Sequence, residues 1–107
     1  MAQPSDDAIH LAINTLTHHA AANYVRQAQQ LHADGMAASL ATSMVLDAAL
    51  MAAASFLQTA VHTGFVDVKA PIPDILRERL SAALNLPTRL FPQRADGSFD
   101  PVGHDLH

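Results

Sequence analysis

A chain of 107 residues carries one domain, and it can bury roughly two-thirds of its unfolded surface without a covalent staple. Ten Asp and Glu stand against six Lys and Arg, a formal charge of −4, which disfavours nucleic acid as a partner. With no cysteine, the chain excludes a disulfide framework, a thiolate nucleophile and a Cys-based zinc site.

Half of the residues are hydrophobic, but much of that half is alanine and there is no Trp. Alanine adds little transfer free energy and much helix propensity, so the composition predicts helices packed closely through small residues. The opening "MAQPSDDAIH" has neither a basic n-region nor an apolar h-region, and a cytoplasmic protein is expected.

The first helix is predicted from about Asp6 to His32. Ser5 supplies an N-cap, Asp6 and Asp7 suit the positive end of the helix dipole, and "ADG" at Ala33 to Gly35 ends it. Ile9, Ile13, Leu16, Ala20, Tyr24 and Leu31 fall on one face at 100° per residue and form the expected core stripe.

A second helix is predicted from about Met36 to Thr63, with Asp34 as a cap at its start. The connection around Gly35 is short enough to make the two helices antiparallel neighbours. Between Met36 and Val66 the only charge is Asp47. A membrane span would place that carboxylate near its centre, at a cost of about 2.5–3.5 kcal/mol, and would also carry Ser55, Gln58, Thr59, His62 and Thr63. No membrane span is expected.

One arc of this helix holds bulky residues such as Leu40, Met44, Leu50 and Met51, with Asp47 among them. The opposite arc holds alanines and hydroxyls, with only Val45 and Phe56 large. The bulky arc is expected against helix 1. The small one, through Ala41, Val45, Ala48, Ala49, Ala52 and Phe56, is expected against a second chain. Asp47 then meets a donor within the hairpin (His18, Asn14, Tyr24 or Arg26), or one from the partner chain, and fixes register.

"FVDVKAPIPD", Phe65 to Asp74, alternates briefly like a strand and is held extended by its prolines. Pro73 and Asp74 open a third helix that runs to about Asn85, and Pro87 stops it. Residues 1–87 form the helical domain. Residues 88–107 form an extended tail rich in Pro, Gly and Asp, with Leu90 and Phe91 pinning its start.

The expected fold is therefore all-α: an antiparallel hairpin of two long helices plus a short third, dimerising into a four-helix-bundle-like assembly. The function expected from it is a non-catalytic interaction module (adaptor, regulator or accessory subunit) working as a homodimer, with no cofactor.

Two alternatives have residues behind them. Seven histidines is a high count, and Asp47 with His10, His18 and His62 could hold a ligand or metal. In an antiparallel hairpin His62 would face His10, Asp6 and Asp7. Against this, His10 and His18 lie about 12 Å apart along the axis, too far to share one ion unaided. "GHDLH" at the end of the tail is at best an adventitious metal binder. The second alternative is weak nucleic-acid binding through Arg77, Arg79, Arg89 and Arg94, which Asp74, Glu78, Asp96 and Asp100 intersperse into a mixed face.

Overall fold

A computed structural model describes residues 3–85, 89–90, 93–97 and 104–105 of the chain. Its body is three helices: α1 (Asp6–Ala33), α2 (Ala38–His62) and α3 (Ile72–Ala83). Two short segments, β1 (Arg89–Leu90) and β2 (His104–Asp105), pair antiparallel, with Arg89 opposite Asp105 and Leu90 opposite His104. Pro87, Phe91, Asp100 and His107, all named above, lie outside the described residues.

Helix α1 starts where the side chains can cap it. The Ser5 hydroxyl accepts from the Ala8 amide at 3.2 Å, and Asp6 and Asp7 occupy the first turn. Its end is a Schellman motif. Gly35 takes φ +109°, its amide donates to the His32 carbonyl, and the Met36 amide donates to the Leu31 carbonyl, both at 3.0 Å. Leu31 and Met36, both half-buried, are the residue pair that commonly closes this motif.

A Cβ at Gly35 would meet nothing within 4 Å, so only backbone strain opposes a substitution there. Gly35→Ala is expected to destabilise by about 1–3 kcal/mol. A thermal melt followed by circular dichroism checks this, and an unchanged midpoint would contradict it.

Asp34 does not cap α2. It occupies the C-cap of α1, where its Oδ1 accepts from Gln30 Nε2 at 2.9 Å. Helix α2 opens at Ala37 with no side-chain cap. At its other end Gly64 takes φ +77°, its amide donates to the Val61 carbonyl, and the Val66 amide donates to Ala60.

The Phe65–Asp74 segment forms no strand among the described residues. It crosses in bends to Pro71, whose extended backbone (φ −58°, ψ 143°) precedes α3. That helix starts two residues before Asp74, because Pro73 sits in the first turn, where no backbone N–H is needed.

The seam between α1 and α2 runs through small residues. The seam takes His18, Ala21, Ala22, Val25, Ala28 and Gln29 from α1 and Ala41, Val45 and Ala49 from α2, all half-buried or buried. Ala22 is 5% exposed and Ala41 1%. This reverses the predicted assignment of faces. The stripe Ile9, Ile13, Leu16 and Ala20 is exposed, with only Tyr24 and Leu31 half-buried, and Leu40, Met44, Leu50 and Met51 also face outward. The physical reason is close approach: alanines facing alanines bring backbones together and gain dispersion contact that a bulky face would hold apart.

The seam is confined to the end of the hairpin near the loop. Residues 6–17 of α1 are all exposed, so the two helices part toward the open end. There α3 takes the place beside α2. Ala54, Leu57, Ala60 and Val61 on α2, with Val68, Ile72, Ile75 and Leu76, form a second small cluster of half-buried and buried side chains.

Candidate interaction surface

The most telling feature is how much apolar surface one chain leaves uncovered. The chain's accessible surface is 8589 Å², whereas a compact monomer of 11.4 kDa has roughly 5,800 Å². The radius of gyration is 16.3 Å, against about 13 Å for a compact chain of this length. Among the described residues only three alanines, Ala22, Ala41 and Ala60, are fully buried, and no large hydrophobic side chain is.

Fourteen large hydrophobic residues are exposed instead. Two sets lie on continuous helix stripes: Ile9, Ile13 and Leu16 on α1, then Leu40, Met44, Leu50 and Met51 on α2, each between 42% and 70% exposed. At 1.5–3 kcal/mol for full burial of one such side chain, covering these seven would contribute roughly 6–11 kcal/mol per chain. Phe56 and Phe65, 73% and 82% exposed, add apolar surface toward the open end.

Asp47 sits in the middle of the α2 stripe, flanked along the helix by Leu40 and Met44 on one side and Leu50 and Met51 on the other. It is exposed and has no hydrogen bond or ion pair among the described residues. The expected pairing with His18, Asn14, Tyr24 or Arg26 inside the hairpin is not made. Once the small arc turns inward, the arc carrying Asp47 must face out.

Of the residues expected to meet a second chain, Ala41 is buried inside the hairpin, and Val45 and Ala49 are half-buried in the same seam. Ala48, Ala52 and Phe56 remain exposed. Two hydroxyls along this helix, at Thr42 and at the C-cap Thr63, are satisfied locally. Thr42 Oγ1 donates to the Ala38 carbonyl and Thr63 Oγ1 to Thr59, both at 2.8 Å, so neither pins a neighbouring helix.

The histidines do not converge. His10 and His62 are exposed and His18 is half-buried, with its ring 6.2 Å from that of His19 at 56°. Among the described residues no three His, Asp or Glu side chains are placed to hold a metal ion. The cluster expected from His62, His10, Asp6 and Asp7 requires the helices to stay together to their open end, and they do not. His32 is used structurally: the Met36 carbonyl can only accept, so His32 Nδ1 carries the proton and donates at 2.8 Å.

Arg77 pairs with Asp74 at 3.4 Å, with both side chains largely exposed, a contact worth little. Arg94 also has a partner.

An open cleft of about 1020 Å³ lies between the last turns of α1 and the first turns of α2, walled on one side by Gln93, Asp96 and Gly97. Arg26, Gln29, His32, Ser39 and Thr42 line it. It contains none of Asp47, His10, His18 or His62, and its serine lies in the first turn of an ordinary helix rather than on a strained elbow.

Helix α2 is long and apolar enough to cross a membrane, with a mean hydropathy of 1.7 over its best window, and only 6% of that window is buried. The core helix of a self-sufficient soluble domain passes the same test of length and composition, but with its apolar side covered. Sequence reasoning saw the stripes but assigned them to the interior. The missed signal was the matching run Ala21, Ala22, Val25 and Ala28 on α1. No protein family, curated protein or solved structure matches this chain.

Proposed function

We propose that this chain is a non-catalytic helical assembly module whose working form is a homodimer. The observation behind this reading is the uncovered apolar surface: among the described residues fourteen large hydrophobic side chains are exposed and only three alanines are buried. A stable interface takes about 800 Å² from each partner, an area of the order that the exposed helix stripes present.

Chemistry points the same way. Among the described residues the titratable side chains are scattered rather than convergent, and the one carboxylate on α2 has an apolar surround instead of a second acid, a base or a metal-ligand partner. A surface of this kind binds a complementary apolar surface; it does not activate a nucleophile.

The apolar stripes also weigh against a bilayer as their cover. Helix α2 alone could enter a membrane, but the part of α1 that lies against it carries His18, His19 and Arg26. A second chain covers both stripes without dehydrating those groups. Light scattering at tens of micromolar protein is expected to give twice 11.4 kDa. A single-chain mass from a folded, helical sample would contradict the proposal.

A further inference from the structure

We infer that the outward face of α2 (Leu40, Met44, Leu50 and Met51) is a docking surface for a second copy of this chain, and that what lies on it is the partner's Ile9–Leu16 stripe rather than the partner's α2. The inference rests on the homodimer reading and specifies its geometry.

The alanine arc is the rival interface, and the fold has already used its centre. Ala41 is 1% exposed within one chain, and Val45 and Ala49 are half-buried beside it. A second chain cannot reach that seam without opening the hairpin. What remains continuous and accessible on both helices is the bulky side.

The position of Asp47 then decides which helix meets which. The four large residues of the α2 stripe lie two on each side of it. A symmetric antiparallel crossing of two α2 helices that covers all four is therefore centred at Asp47. That crossing would bring two carboxylates together in an apolar seam, where like charges repel and neither is solvated.

The α1 stripe has no acid between Ile9 and Leu16; its intervening residues are His10, Leu11, Ala12, Asn14 and Thr15. Against this face a single Asp47 meets no second carboxylate, and His10 lies at the edge of the face. The two stripes are also comparable in length, about 11 Å from Ile9 to Leu16 and about 17 Å from Leu40 to Met51 at 1.5 Å per residue. Projected from the buried seam at 100° per residue, both stripes point away from it and tilt to the same side of the hairpin. A two-fold axis would make this contact twice, α2 on the partner's α1 and the converse, in a closed assembly of two chains.

The chain has no cysteine, so introduced thiols report without interference. Full-length chains carrying Ile13→Cys, Met44→Cys, Leu50→Cys or Phe56→Cys are mixed in pairs and oxidised under mild conditions. A disulfide requires Cα atoms within about 7 Å, so the product reports adjacency. The proposal expects Ile13→Cys to cross-link with Met44→Cys or Leu50→Cys, in about tenfold excess over the Met44→Cys with Leu50→Cys product.

A dominant product between Met44→Cys and Leu50→Cys would show two α2 helices crossing and overturn the inference, as would cross-linking confined to Phe56→Cys. In both cases the homodimer reading survives. Single-chain mass with no cross-link in any pair defeats that reading too. Protection of the α2 thiols only on adding neutral phosphatidylcholine vesicles would assign the face to a bilayer and overturn both.

Discussion

Replacing Met44 and Leu50 together with glutamate is expected to abolish self-association at concentrations where the parent chain is dimeric. Both side chains lie on the outward stripe, 44% and 53% exposed in one chain. In a dimer the double substitution puts four carboxylates into a seam that is otherwise apolar. An unpaired polar group taken out of water costs about 1–3 kcal/mol, so even partial burial of the four gives on the order of 4 kcal/mol, a thousandfold in the dissociation constant. Glutamate is a good helix former, and the single-chain seam lies on the opposite side of α2, so helicity of the separated chains should persist in part. Sedimentation velocity reads the result. A double variant that remains dimeric with unchanged affinity would remove the bulky stripe from the interface.

The second large effect is expected inside the hairpin. Ala41 is 1% exposed, and its methyl fills the space between α1 and α2. Ala41→Leu adds three carbons where there is no room, and overpacking of this kind costs about 1–3 kcal/mol. For a domain of this size that lowers the melting midpoint by about 4–8 °C per kcal/mol. Ala48→Leu is the matched control, because Ala48 lies on the same helix and is exposed. It should change stability by about 0.5 kcal/mol or less. Equal losses from both substitutions would contradict a seam built on Ala41.

These two results bear on how far the sequence could be read. The helix ends were legible because local chemistry sets them: the Ser5 hydroxyl over the Ala8 amide, the left-handed Gly35 and Gly64, and the prolines before α3. The existence of a hairpin followed from the short link around Gly35.

Which face each helix buries was not legible, and the reason is specific. Periodicity identifies a core face by contrast with a charged one, and α2 has a single charge. Its two arcs, one bulky and one small, are both apolar, so either can take the neighbour. Transfer free energy favours burying Leu40 and Met44, whereas close packing favours joining Ala41 to the alanines of α1. Within one chain the second effect wins, and the first is left for another surface to satisfy. The error about Asp47 followed from the same choice: its neighbours on the arc were read correctly, but the arc was turned the wrong way.

The histidine cluster failed for a different reason. His62 and His10 come together only if the antiparallel pair stays closed over its whole length. The small-residue pairing stops near His18, beyond which residues 6–17 of α1 are exposed. Sequence spacing along each helix says nothing about where two helices part.

A fold completed by a second copy has a melting midpoint that depends on protein concentration. If two chains fold and associate together, mass action stabilises the folded form as concentration rises. With an unfolding enthalpy of about 0.7 kcal/mol per residue over both chains, the midpoint should climb by about 3 °C for each tenfold increase. A midpoint that stays fixed across that range, in a cooperative unfolding transition, would show that one chain is stable alone and would contradict the account.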